Sequence, residues 1–449
     1  MKQIRQPNSQ DPTGKQPYCQ RLSAMAASQT LRVVLKSRYD EQTFISIPPA
    51  MTALMPSSIR VQTVLVGLTS NNLSYCAAGD SLHWWSTFTL PPTTPAPFND
   101  SGTYGVSPGW GYCIVVDSTI HDIELGRILY GFVPISSHAV DLQLGQAETM
   151  PDHWIETSPH RSKIMSLYQR YFLMPRGFTL DPTDPLIGFT PVMKPVWEAG
   201  YLLAHYVFAQ DSTPIHPLGH PVSPWTKHEA DLTDACIVCI AAGTKTSRSF
   251  LQQLETISQE RKQKYNVMEI TSSASGCERY LKDAMFQHKV VTYDQNTPDT
   301  LGKYDKFILL NFGGRDNALA KVAEAVKSSN PSAKLVCVQI GGEAKVYTEE
   351  DLAARQQAAV SLEAVQMNAT GIKDEAMKRV GVKKYFSELN KAFEEIVKEQ
   401  VHAFAGTVLH VRLKVSNGLK GEDGVEGCWK RLSSGVVAGD EGLVVQLNA

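Results

Sequence analysis

Three shortages narrow the reading of this 449-residue chain: it has almost no net charge, no long apolar run and no dense cysteine framework. Lys and Arg total 43 against 45 Asp and Glu, a formal net charge of −2. Non-specific nucleic-acid binding needs clustered cations that displace counterions, so no nucleic-acid partner is expected, nor a polybasic membrane protein. Nowhere do about 18 consecutive apolar residues occur, so no membrane-spanning helix is expected. Eight cysteines, spread from Cys19 to Cys428, are too dispersed for the disulfide scaffold of a small secreted domain. Cys236 and Cys239 form a C-x-x-C inside the apolar run at 235–241. Strand residues three apart face opposite sides of a sheet, and no second Cys/His pair stands at zinc spacing, so a buried strand is the plainer reading.

What is present is ordinary globular material: 43% hydrophobic residues, 20% charged, 31 Gly and 25 Pro. The length suits two or three domains. Residues 1–29 are polar and lack the apolar core of a signal peptide, which predicts a disordered tail. A transit-peptide reading rests only on Lys2, Arg5, Lys15 and Arg21 outnumbering Asp11. The expected location is cytoplasmic.

From 30 to 195 short β-branched or aromatic runs, at 32–35, 61–67 and 113–116, alternate with Pro, Gly, Asn and Ser clusters. That pattern predicts a small twisted barrel or sheet assembly with long loops, one of them the Pro-rich stretch at 91–108. A buried helix is expected at 196–208. Then strands at 235–241, 267–271, 289–293, 306–311 and 334–340 alternate with helices at 247–259, 277–286 and 318–328. Five- to seven-residue apolar runs between helices predict a parallel sheet covered on both faces. Residues 346–449 supply helices at 349–365, 375–403 and 424–433 and strands at 407–415 and 442–447.

The first of the alternating strands leads into CIAAGTKTSR at 239–248. A strand entering a helix through small residues is where a doubly wound sheet binds phosphate, because the first helical N–H groups are free and the dipole favours an anion. Gly243, Thr244, Lys245, Thr246 and Ser247 are therefore candidates to hold a pyrophosphate. The match to G-x-G-x-x-G is poor, and both P-loop glycines are missing, at Cys239 and Thr244. The second strand ends in ITSS at 270–273, where an acidic residue would bind an unphosphorylated ribose. Ser272 with Arg279 suits a 2′-phosphate better, although a helix N-cap explains the serines equally well. Tyr293 closes the third strand, and the pairs Gly313–Gly314 and Gly341–Gly342 follow two later ones, on the sheet edge where ligands bind in open α/β folds.

These segments carry a resemblance. LTSNNLSY at 68–75 with GD at 79–80 and WW at 84–85, VSPGWG at 106–111, LYGFVPISSH at 129–138, GTKT at 243–246 and VVTYD at 290–294 resemble the medium-chain dehydrogenase/reductase superfamily. The likeness is to its zinc-independent, quinone-reductase branch, and most of all to an uncharacterised fungal and bacterial family related to it. The resemblance runs from about residue 30 to the end. It implies an α/β architecture with a GroES-like, β-rich substrate domain at 30–195 and a Rossmann-type, doubly wound domain at 196–345, with 346–449 completing both. It also implies NADP(H) as cofactor, a small-molecule substrate and a dimer. The zinc ligands of the metal-dependent branch are absent from these motifs, so metal-free chemistry is expected.

On the same resemblance Asn71, Asn72, Tyr75 and Asp80 face cofactor or substrate, with Tyr75 able to give a proton to an enolate. Asn-Asn after a strand is equally a turn former. Trp84 and Trp85 offer flat faces for a ring, though most tryptophans are core. Ser136 and His138 could share a face, but no G-x-S-x-G elbow accompanies them. Tyr168 and Arg170 could meet an anionic group, or Arg170 could be an ordinary surface cation. The basic runs at 261–264 and 373–384 read as solvated helix faces. The expected activity is reduction of an enone or ketone in a small, secondary-metabolite-like substrate, with His138 and Tyr168 beside it. The competing expectation is a non-redox enzyme on the same scaffold, catalysing isomerisation, cyclisation, dehydration or C–C cleavage, and is motivated by the weak glycine fingerprint and Lys245.

Overall fold

The computed structural model describes residues 29–50, 52–278, 287–295 and 300–447. Gln29, expected as the end of the tail, already begins a strand. Strands β1 (Gln29–Leu35) and β2 (Arg38–Ile47) form an antiparallel pair, extended by the short β4 (Tyr104–Gly105). Beside them, β3 (Ser58–Leu68), β5 (Pro108–Ser118), β6 (Ile128–Pro134), β9 (Arg170–Leu173), β8 (His153–Glu156) and β7 (Val140–Gln146) pair in that order. Strand β7 then pairs back onto β3 through residues 58–61, closing a barrel. All eleven residues of β3 are buried, because its other half, 65–68, pairs with β18 (Glu441–Gln446). One strand thus serves two layers. Next to β18 lies β17 (Val411–Asn417), parallel to it, then β16 (Thr407–Val408).

The second sheet is parallel throughout: β12 (Gln287–Thr292), β11 (Asn266–Thr271), β10 (Cys236–Ile240), β13 (Lys306–Asn311), β14 (Lys334–Gln339) and β15 (Val365–Gln366). In order of appearance along the chain this reads 3-2-1-4-5-6, the doubly wound order of dinucleotide-binding sheets. Every residue of β10 is buried, as a central strand covered on both faces must be. The C-x-x-C therefore packs in the sheet, and the seven described cysteines are free, buried thiols. Among the described residues no helix is long and apolar enough to cross a membrane.

Counting helices longer than five residues, α1 (Ser70–Ala77) follows β3, and α2 (Pro185–Leu202) crosses from barrel to sheet. The helix expected from 196 starts eleven residues earlier. Asp184 caps it, its Oδ1 accepting from Leu186 N–H at 2.8 Å, and Pro185 occupies the first turn, where its missing N–H costs nothing. Pro191 and Pro195 lie inside the helix and hid it from a reading that ends helices at proline. The domain boundary expected at 195 falls within α2. Helix α3 (Lys245–Arg261) follows β10 and lies so close to α2 that a Cβ built on Gly200 would sit 2.6 Å from Phe250 N. Helices α4 (Ala318–Ser329) and α5 (Glu349–Ser361) complete the sheet unit, and β15 is a sixth strand too short to show in the sequence. The helix expected at 375–403 is two, α6 (Ala369–Val380) and α7 (Val382–Ala403), parted at Gly381 with φ +86°. The strand expected at 407–415 folds back on itself because Leu409 and His410 take positive φ. Helix α8 (Val425–Ser433) connects β17 to β18.

Candidate active site

A cleft of about 1420 Å³ runs from the carboxyl edge of the parallel sheet to α1 and the second half of α2. That exceeds the usual ~300–1,000 Å³ of one small-ligand pocket, and leaves room for a dinucleotide with a second molecule beside it.

At its outer end the main chain dominates. The turn from β10 to α3 runs through Ala241, whose φ of +62° is a conformation that usually selects glycine. Gly243, Thr244, Lys245 and Thr246 line the cleft. Thr244 caps α3, its Oγ1 accepting from Ser247 N–H. Among the described residues the N–H groups of Gly243, Lys245 and Thr246 have no protein acceptor. A Cβ added at Gly243 would touch only Thr271 Oγ1, at 3.4 Å, so the space before this turn is open. Arg248 backs the turn from inside, donating from Nε to Gly243 O at 3.0 Å and from Nη1 to Leu409 O at 3.2 Å. Burial, then the neighbouring Arg248 charge, pushes the half-buried Lys245 ammonium down to about 8.

Across from it, Asn311 at the end of β13 shapes the first glycine pair. Its Oδ1 accepts from Gly313 N–H at 3.1 Å and Gly314 N–H at 2.7 Å, and its Nδ2 donates to Gln339 Oε1 at 2.9 Å. Gln339 Nε2 in turn donates to Gly341 O. Gly313 has φ +120°, and a Cβ there would lie 2.5 Å from Gly342 O, so only glycine lets the two turns approach. Ser272, Tyr293 and Arg315 line the far side of this end. Burial raises the Tyr293 phenol, while the Arg315 and Ala241 N–H groups it meets act the other way.

At the inner end side chains dominate. On α1, Asn71 and Tyr75 stand one turn apart and both line the cleft. The Tyr75 ring lies 5.0 Å from Trp84 and 5.7 Å from Tyr168; Trp84 and Tyr168 are 4.5 Å apart, Trp110 and Tyr168 5.6 Å. Burial pushes the Tyr75 phenol up to about 12, although Tyr168, Trp110 and Asn71 hydrogen-bond to it and pull the other way. The Tyr168 phenol is raised further by burial and by Tyr75. Lys194, Glu198, Lys373 and Phe386 complete this wall. Among the described residues no three His, Cys, Asp or Glu gather in metal-ligating geometry.

The model of the family described as "Protein of unknown function (DUF2855)" matches residues 66–438. The chain belongs to that family. No curated protein matches it. Among solved structures it is similar to CurA in complex with NADPH from Vibrio vulnificus, at 13% identity and a TM-score of 0.46 over 93% of this chain and 100% of that one. It is also similar to the mitochondrial 2-enoyl thioester reductase Etr1p/Etr2p heterodimer from Candida tropicalis, at 12% and 0.48 over 93% and 99%. A third likeness is to JamJ enoyl reductase in its apo form, at 11% and 0.48 over 94% and 100%. The two-domain architecture of this family member stands on its own strand order and closed barrel.

The cleft brings together Asn71, Tyr75, Trp84, Tyr168, Gly243, Thr244, Lys245, Thr246, Ser272, Tyr293, Gly313 and Gly341, each singled out from the sequence. Six other expectations are corrected. Asn72 is 2% exposed and both ends of its amide are taken by main chain, accepting from Thr69 N–H at 2.7 Å and donating to Pro108 O at 3.0 Å. Asp80 points to solvent, 3.8 Å from Lys36. Trp85 lies against Gly79 and Gly105, off the cleft wall. His138 is buried in the barrel, its Nδ1 2.8 Å from Ser136 Oγ, and that hydroxyl donates to Thr30 O, a structural chain rather than a catalytic dyad. Ser247 is fully buried beneath the turn that Thr244 caps, its N–H donating to the Thr244 hydroxyl. Gly314 packs under its turn, where a Cβ would meet Ile240 Cγ2 at 2.6 Å. Arg279 lies outside the described residues. Reasoning from sequence missed Arg315, Trp110, Lys194, Glu198 and Lys373. A lysine within the apolar stretch at 186–197 was a usable signal for Lys194, whereas Lys373 was misread as solvated and is 5% exposed.

Proposed function

We propose that the protein is a zinc-independent, NADP(H)-dependent reductase of an enone or ketone in a small, secondary-metabolite-like substrate. One observation carries this reading: a dinucleotide-type sheet edge and an aromatic chamber holding a buried phenol share one continuous cleft. The outer end fits the cofactor. Free N–H groups at Gly243, Lys245 and Thr246 and the Lys245 ammonium suit a pyrophosphate, and Ser272 with Arg315 suits the phosphate on the adenosine ribose.

Nicotinamide, if bound at the outer end, would supply the hydride. The chain's residues do the rest. Trp84, Trp110 and Tyr168 exclude water and press a flat substrate into a defined orientation. Tyr75, kept protonated by burial, donates its proton to the oxygen or carbon that gains charge, while Tyr168 and Asn71 hold the phenol in place. Titration with NADPH, followed by energy transfer from tryptophan to the nicotinamide, tests the first step. Absence of binding at about 1 mM, a far weaker affinity than cofactor sites show, refutes the reading.

A second reading is favoured by Lys245, which stands in the phosphate turn with a lowered pKa and no ion-pair partner among the described residues. In it the chamber performs a non-redox isomerisation, cyclisation, dehydration or C–C cleavage. Turnover by cofactor-stripped protein supports it, and strict dependence on added NADPH eliminates it.

A further inference from the structure

We propose that the inner end of the cleft is a carboxylate site, and that the substrate is an organic acid with a flat, conjugated body. This rests on the reductase reading for the fate of the bound acid, and gives that reading a substrate class.

The charges at this end do not balance. Lys194 on α2 and Lys373 on α6 both line the cleft, with Glu198 one turn beyond Lys194. Glu198 is already committed: its Oε1 lies 2.7 Å from Lys373 Nζ and accepts from Tyr385 Oη at 2.8 Å. Lys194 therefore has no carboxylate partner among the described residues; its Nζ donates to the neutral Asn390 Oδ1 at 2.8 Å. An ammonium has three donors, so two remain. Behind them stands a third cation, Arg170, whose Nη1 is 3.1 Å from His153 Nδ1. That imidazole brings no compensating charge: burial first, then the Arg170, Lys373 and Lys194 cations against Asp152, push it down to about 4. Two further carboxylates reach the cluster only through space, and both have partners of their own. Asp374 accepts from Ser166 Oγ at 2.7 Å, and Glu394 lies 3.5 Å from Lys398. Three cations thus surround one buried carboxylate.

The remaining surface is aromatic. Lys194 Nζ lies 5.5 Å from the Phe172 ring centre and Lys373 Nζ 4.8 Å from Phe386. Those rings soften the cost of the charges without neutralising them. A cation left unneutralised in a half-dry chamber is costly, and a guest anion removes that cost. Two lysine donors that the lining brings to this end suit the two oxygens of a carboxylate, and competition by phosphate separates the two anions in the test. The wall of Trp84, Trp110, Tyr130 and Tyr168 suits a conjugated body attached to it.

The test titrates the full chain, without NADPH, with trans-cinnamate and with its methyl ester, following quenching of tryptophan fluorescence. Omitting the cofactor keeps this result separate from the cofactor titration, so either can fail alone. The acid is expected to bind at least about tenfold more tightly than the ester, the scale of one charge-assisted hydrogen bond. Lys194→Gln, which can keep the Asn390 contact, is expected to erase that preference and leave the ester unchanged. Equal binding of acid and ester by the wild type overturns the proposal without any variant, and so does no binding of the acid at about 10 mM. Loss of both ligands equally in Lys194→Gln also overturns it, as does displacement of cinnamate by an equal concentration of inorganic phosphate.

Discussion

The two ends of the cleft are built from different materials. The outer end is main chain: the turn at 241–246 and the glycine pairs at 313–314 and 341–342, held in shape by Asn311 and Gln339. The inner end is side chain: Tyr75, Trp84, Trp110, Tyr168, Lys194 and Lys373, drawn from widely separated segments. Main-chain recognition suits a ligand part common to many enzymes, because amides read phosphate and little else. Side-chain recognition suits the part that differs, because each wall residue can change without moving the backbone. Substitutions at the two ends should therefore separate into two kinds.

The largest effect is expected at the inner end. Tyr75→Phe should lower turnover by about 10²–10⁴-fold, the range for losing a general acid, and leave NADPH affinity unchanged. A steady-state comparison with a cofactor titration checks both halves, and an unaffected turnover would remove chemistry from this end. At the outer end, Gly313→Ala should cost about 2–4 kcal/mol in denaturant unfolding and weaken NADPH binding. The reason is its φ of +120° and the Gly342 carbonyl 2.5 Å from the new Cβ. Wild-type stability in that variant would mean the two turns are free to part.

His138 belongs to neither end and serves as a control. Burial pushes its imidazole down to about 4, below the unfolded value of 6.5. The unfolded chain therefore binds the proton more tightly, and stability is fully present above pH 6.5 and falls as pH drops towards 4. The loss is on the order of 3 kcal/mol, and His138→Gln should flatten it in unfolding curves measured across that window, with NADPH affinity unchanged. The smallest effect sharpens the outer end. Lys245→Gln should weaken NADPH binding by about tenfold at low salt and less at high salt. Wild-type affinity itself should decline as pH rises through about 8, where the ammonium loses its proton.

Legibility followed the range over which each feature is encoded. Strands such as β10, β13 and β14 announce themselves through short apolar runs, and their ends locate the turn at 241–246 and both glycine pairs. Helix α2 was hidden at its start by Pro191 and Pro195, because local rules end a helix where tertiary packing can carry it through. The division of Asn71 from Asn72 was also illegible. Adjacent residues on a helix face different ways, and only the position of Pro108 decides which amide is buried. His138 and Trp85 looked like site residues beside a chemistry-bearing motif, yet the barrel and two glycines claim them.

The order of residues alone determined the alternation of strands and helices, the β-rich texture of the first half and the place of the strand-to-helix turn at 241–246. These depend on periodicity and on backbone freedom, which neighbours in sequence specify. Tertiary structure decided which side chains share the chamber and that Lys194 faces it with no carboxylate partner among the described residues. Those outcomes depend on contacts between segments distant in sequence, such as Tyr75 with Trp110 and Lys373 with Glu198. No local pattern encodes such a meeting, because burial and charge balance are properties of the packed whole.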